Sequence, residues 1–314
     1  MVGIVGDVEN GADHVKPFTS WSISGATNPP QPLPISGQRS AHFWFGLSVG
    51  PGTGIIPVMA DTPRIVVTND DGYTSEGIRV LADALEPLGE VWVVAPNREQ
   101  SAVSHALTLD RPLRLQRLAE RGYAVDGTPT DCVTLALSHL MEGRPPAVVV
   151  SGINFGGNMG ADVHYSGTVS AAFEGVILGV PALAVSQQVG EGFSFHFAAR
   201  FARELTAWVI ANGLPRSTLL NVNVPSRSPR GVRLTRLGVR RYTEGVVEQT
   251  DPRGRQIFWI GGGHPVWEEI PGTDFHEVAC GFVSVTPLGL DMTDYAGLDR
   301  LRETLPSWVG EPVS

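Results

Sequence analysis

Arg64-Ile-Val-Val-Thr-Asn-Asp-Asp-Gly72 is the stretch on which the reading of this chain turns. Ile65, Val66 and Val67 form a short apolar run, the size of a buried strand. The run stops at Asn69-Asp70-Asp71-Gly72, and Asp-Gly is a turn signal, so two carboxylates stand where the strand ends. Adjacent acids at the mouth of a buried strand repel each other and lose hydration, and a divalent cation would offset both costs. An isolated Asp-Asp-Gly is more often a solvated turn. The pattern that follows it changes the balance.

Downstream, Gly77 to Leu85 has apolar residues at helical spacing, and Glu90 to Ala95 reads as a second buried strand ended by Pro96. Strand, helix, strand implies a right-handed parallel crossover. Residues 105–126 read as a β-rich excursion. Thr128-Pro-Thr-Asp131 opens a helix through Leu140, with Thr130 as its N-cap and Asp131 in the first turn. Ala147 to Val150 is a third strand, followed by a Gly- and amide-rich loop, Ser151 to Asn158. A helix starts at Ser166-Gly167-Thr168. Pro181 to Val185 and Leu219 to Val224 read as strands, with a helix from Phe197 to Ile210 between them. This alternation predicts an open, doubly wound α/β sheet. Beyond Pro225 the pattern becomes β-rich, with strands at 232–237, 256–260 and 282–286 and a helix at 298–305. Residues 1–60 are rich in Gly, Pro and Ser and have no period, so a disordered extension is expected, with Met59 as the natural start. The expected division is thus an extension at 1–60, a catalytic core at 61–225 and a C-terminal oligomerisation arm with a terminal helix at 226–314.

The chain has 314 residues, 42% of them apolar, enough for one large core or two modest ones. A net charge of −9 argues against a nucleic-acid polymer as partner, although a small nucleotide in a local pocket remains compatible. Cys132 and Cys280 have no paired spacing, and both are expected as small core residues in a reducing cytoplasm. No apolar run approaches the ~20 residues of a membrane span, and the start lacks a secretory signal pattern.

In an open α/β sheet, ligands bind beyond the carboxyl ends of the strands. Three loops leave such ends here, carrying Asp70 and Asp71, Ser101 and Ser104, and Asn154 and Asn158. If their strands are neighbours, these side chains meet at one edge. Carboxylate, hydroxyl and amide oxygens suit Mg²⁺, Mn²⁺ or Ca²⁺ rather than Zn²⁺. The helix start at Gly167-Thr168 adds backbone N–H groups and a positive dipole end for an anion.

Thr68-Asn-Asp-Asp-Gly72, Val94-Ala-Pro-Asn-Arg-Glu-Gln-Ser101, Gly127-Thr-Pro-Thr-Asp-Cys-Val133, Ser151-Gly-Ile-Asn154 and Tyr165-Ser-Gly-Thr-Val169 occur together and in order. With Gly272-Thr-Asp-Phe275 and Thr286-Pro-Leu288, they make residues 63–300 resemble the SurE family of survival-protein nucleotidases. The resemblance implies a Rossmann-like core, a C-terminal arm that pairs subunits as a homodimer or tetramer, and a divalent-metal phosphatase acting on nucleoside monophosphates. It places one metal ion per subunit, Mg²⁺ or Mn²⁺, on Asp70, Asp71, Ser101 and Asn154. Ser104, Asn158, Ser166, Gly167 and Thr168 fall near the substrate phosphate. Ala102 departs from the pattern, since the family usually has Gly there. His105 and His164 lie near these motifs and read as ordinary packed or surface imidazoles, His164 being the better placed to protonate a leaving group. The expected activity is 5′-nucleotidase hydrolysis with water as nucleophile. The rival is a non-catalytic nucleotide- or phosphate-binding regulator that keeps the metal loop.

Overall fold

In the computed structural model, which describes residues 62–241, 246–260 and 266–304, strand β1 is Arg64–Thr68. Ile65 and Val67 enter one apolar layer and Val66 the other, all fully buried. Burial on both faces is why the run is continuous rather than alternating. Helix α1 (Glu76–Leu85), β2 (Glu90–Pro96) and the hairpin of β3 (Leu115–Ala119) with β4 (Gly122–Val125) follow. Next come α2 (Pro129–Leu135), β5 (Val148–Phe155), α3 (Gly167–Ile177), β6 (Ala182–Gln187), α4 (His196–Asn212) and β7 (Thr218–Val224). The rest comprises β8 (Val232–Leu234), β9 (Arg240–Arg241), β10 (Val246–Thr250), β11 (Gln256–Ile260), β12 (Val266–Trp267), α5 (Asp274–Ala279), β13 (Val283–Gly289) and α6 (Tyr295–Thr304).

Nine strands form the main sheet in the order β3-β4-β2-β1-β5-β6-β7-β13-β8. From β4 to β7 neighbours are parallel, and β3 and β13 pair antiparallel to β4 and β7. α1 and α4 cover one face through Ile78, Leu81, Ala198 and Ala202. α2 and α3 cover the other through Cys132, Val133, Val169 and Ala172. This is a doubly wound, mostly parallel α/β fold. The chain leaves β1 toward β2 on one side and comes back to β5 on the other. The crevice beyond the carboxyl ends of β1 and β5 is therefore the topological switch point, where such sheets bind ligands.

Several expectations need correction. The N-cap of α2 is Thr128, not Thr130: Thr128 is extended, its side chain accepts from the Asp131 N–H, and Asp131 reaches back to the Thr128 N–H. Pro129 then takes the first helical position, where a missing N–H costs nothing. The expected helix through Leu140 is α-helical to Leu135 and then a π-turn, Ala136–Leu140. β5 does not stop at Val150; it stays paired with β6 as far as Phe155, with an irregularity between Gly152 and Asn154. Cys132 is buried as expected, but Cys280 is exposed. Beyond Pro225, β13 and β8 extend the main sheet, while β10 and β11 form a separate hairpin. Expectations for residues 1–60, including a start at Met59, lie outside the described residues. Among the described residues no helix is long and apolar enough to cross a membrane.

Candidate active site

The turn after β1 is locked by Asn69, which is fully buried. Its Nδ2 donates to the Gly72 carbonyl (3.2 Å) and to Ser75 Oγ (2.7 Å), and its Oδ1 accepts from the Gly72 N–H (3.2 Å). One side chain thus joins the acidic turn to the start of α1. Gly72 has φ +97°, a conformation that only glycine adopts cheaply. The Asp70 carbonyl accepts from the Gln100 N–H at 2.8 Å, which holds the loop after β2 against the turn.

Asp70 is 6% exposed. Its carboxylate accepts from the Thr168 N–H (3.1 Å) and from the Thr168 hydroxyl. Burial still raises its pKa, against these hydrogen bonds. Asp71 is pushed up to about 6, first by burial, then by the charge of Asp70 and, more weakly, of Glu99; the Phe155 N–H, 3.3 Å from Oδ2, opposes this. The N-terminus of α3 is therefore turned onto Asp70. Ser166 caps it, accepting from the Val169 N–H at 3.1 Å. Gly167 has no room for a side chain, because a Cβ would stand 2.8 Å from the Asp70 Cβ.

Both acids open into a cavity of about 790 Å³ that Ser101, Asn154, Asn158 and Ser166 also line. Asn154 Nδ2 donates to the Gly156 carbonyl at 2.7 Å, so the amide oxygen is the end with electron pairs to offer a cation. Asn158 sits in a buried polar cluster: its Nδ2 donates to Ser186 Oγ (2.9 Å), and its backbone is held by Asn221 and Asn223. Ser101 donates to Glu99 at 2.7 Å.

Three of the expected site residues stand back from the cavity wall. Thr168 is fully buried and acts on Asp70, with Gly167 beside it. Ser104 donates its hydroxyl to the His164 carbonyl at 2.6 Å and takes φ +56°. His164 lines a different cavity, with Phe173 and Met292, and His105 is bonded to Glu174 at 2.9 Å. Sequence reasoning gave no role to Glu99, Phe155, Asp162, Tyr165, Arg240 and Ile260, which also line the acidic cavity. Arg240 is ion-paired with Asp162 and lies over the Trp267 ring. Nothing local in the sequence marks Arg240 or Ile260, since the fold brings them from far along the chain.

The family model described as survival protein SurE matches residues 65–244, more than half of the chain. The chain belongs to the SurE family. A SurE relative from Anaeromyxobacter sp., named 5′-nucleotidase SurE, is 56% identical over 253 residues, covering 80% of this chain and 99% of the relative. Another of that name, from Myxococcus xanthus, is 52% identical over 246 residues, 77% of this chain and 94% of the relative. The crystal structure of the SurE protein from Aquifex aeolicus superposes with a TM-score of 0.68 at 42% identity, covering 77% of this chain and 99% of that one.

The SurE acidic pair fits a divalent cation on its own chemistry. Asp70 is held above its usual pKa by burial, and Asp71 by burial and then the charge of Asp70, which is the condition a cation relieves. The hydroxyl of Ser101 and the amide of Asn154 share their cavity and add neutral hard oxygens.

Proposed function

We propose that this SurE chain is a metal-dependent 5′-nucleotidase that hydrolyses nucleoside 5′-monophosphates to nucleoside and phosphate. The observation that carries the reading is the Asp70–Asp71 pair at the switch point, Asp70 buried and Asp71 half-buried, opening into a cavity with Ser101 and Asn154. Asp70, Asp71, Ser101 and Asn154 would hold one Mg²⁺ or Mn²⁺ ion. When bound, such an ion supplies a Lewis acid for phosphoryl oxygens and lowers the pKa of water. Thr168 and Gly167 orient Asp70, and the Phe155 N–H orients Asp71. Asn158 and Ser166 face the cavity and bind the remaining phosphate oxygens. Ser104 fixes the turn before α3 that presents Ser166. Water attacks phosphorus, the bond to the ester oxygen breaks, and the nucleoside leaves with a proton. Cleavage in ¹⁸O-labelled water over a single turnover should put label in phosphate and none in Asp70.

Relatives named as nucleotidases leave the non-catalytic regulator without support. The deciding experiment measures phosphate release from a panel of nucleoside monophosphates with and without Mg²⁺ or Mn²⁺. Release only with metal is expected, and no release at saturating metal would overturn the assignment. The reading includes a cytoplasmic location, an acidic surface that avoids nucleic-acid polymers, and assembly as a homodimer or a pair of dimers. A catalytic core with a C-terminal pairing arm is part of the same proposal, the arm being the β10–β11 hairpin.

A further inference from the structure

A nucleoside monophosphate brings an aromatic base as well as a phosphate, and the groups named so far address only the phosphate. The rim of the acidic cavity is different. Phe155 and Tyr165 line it and are 58% and 61% exposed, and Ile260 joins them from β11. Phe155 is the one tied to the reacting end. It ends β5, directly after Asn154, and its N–H is the donor to Asp71. Its ring is braced: it meets Phe193 at 5.1 Å between centroids and 68° between planes. Phe193 in turn meets the buried Phe195 at 4.8 Å and 78°. Edge-on contacts steady a ring while leaving a face uncovered. A braced, open aromatic face beside a phosphate site is what base stacking requires, because little freedom is left to lose on binding.

We infer that Phe155 is the platform on which the base of the substrate stacks, and so a specificity-determining residue for this reaction. The inference rests on the nucleotidase reading above. Stacking engages the π-face and not the hydrogen-bonding edge. Phe155 therefore separates phosphomonoesters with an aromatic ring on the alcohol from those without, rather than one base from another.

The test compares, on the full chain with Mn²⁺, the KM for adenosine 5′-monophosphate and the competitive Ki of ribose 5-phosphate, which lacks the base. Phe155→Leu should raise the ratio of KM to Ki by about 5- to 150-fold, the range of base–aromatic stacking converted to affinity. Phe155→Trp should keep the ratio at or below the wild-type value. An unchanged ratio in Phe155→Leu, or a raised one in Phe155→Trp, overturns the platform. A loss shared equally by both ligands does so too, because it would mean that the side chain serves only Asp71. Wild-type protein that cleaves no nucleotide would instead overturn the nucleotidase reading.

Discussion

At the scale of the residue, Asp70 and Asp71 are the proposed metal ligands, and their burial costs the fold stability. Asp70 is buried and Asp71 half-buried beside it, and their raised pKa values mean that the charged pair is unfavourable without a cation. Asp70→Asn and Asp71→Asn should each lower metal-dependent turnover by roughly 10²-fold or more, the scale of losing a preorganised charged contact. The metal-free Tm should stay at or above wild type, and the rise in Tm on adding Mn²⁺ should vanish. Near-normal turnover of either variant at saturating metal would refute the site. Ala102 offers a second prediction. It has φ +55°, in the left-handed region, where an L side chain is strained and glycine is not. Ala102→Gly should stabilise the protein by about 0.5–1 kcal/mol, the relief of that strain less the entropy that glycine loses. Urea denaturation checks this, and a fall in stability would show that the loop holds Ala102 by contacts outweighing the strain. The meeting of the acids, Ser101 and Asn154 at one cavity was legible from strand ends and motif order. Glu99, Asp162 and Arg240 were not, because a charged side chain looks the same in sequence whether it faces solvent or a cavity.

Elements were legible where one periodicity ruled. β1, β2 and the start of β5 are continuous apolar runs because both faces are covered. Ser151 to Phe155 misleads because small and amide residues resemble a loop, yet parallel pairing to β6 keeps them in the sheet. α5, six residues long, is too short to show a helical period. The placing of β13 beside β7 is a long-range pairing that no local pattern reports. The loop between β2 and β3 is tied down by Glu174 on α3: His105 Nε2 lies 2.9 Å from its Oε2, and Thr134 of α2 donates to the other oxygen at 3.0 Å. The bond to His105, then that to Thr134, holds Glu174 below its usual pKa despite burial. A carboxylate with a lowered folded pKa stabilises the fold above its unfolded value, and that contribution is lost as pH falls through the folded value. Glu174→Gln should therefore cost about 1–3 kcal/mol at pH 7, and the gap to wild type should close as pH falls below 4.5. Denaturation curves at the two ends of that window decide. A gap independent of pH would mean that shape rather than charge holds the loop.

For the whole molecule, the question is what covers the β10–β11 hairpin. Its two strands pair antiparallel from Val246↔Ile260 to Thr250↔Gln256 and lie in a sheet of their own. Phe258 and Trp259 are 59% and 60% exposed, and Val246 and Ile260 are exposed with them. Trp267 is different: it stacks on Phe275 at 3.9 Å and 9°, within its own chain. So the hairpin leaves apolar side chains in water, at a cost of ~25 cal/mol per Å². An isolated two-stranded hairpin is marginal by itself. A second copy presenting the same hairpin would bury both through a two-fold interface. The position of Ile260 adds a functional link, since the hairpin that would meet the partner also contributes to the wall of the acidic cavity. We expect sedimentation equilibrium at micromolar protein to give at least twice the 33.6 kDa of one chain. Deleting 246–260 should yield monomers or aggregates and raise the KM for nucleotide. Replacing Phe258 and Trp259 together by Ser should shift the mass toward one chain, since the apolar patch is then lost while the hairpin's backbone pairing is kept. A wild-type species of one chain's mass at all concentrations would refute the pairing and assign the exposed aromatics another role.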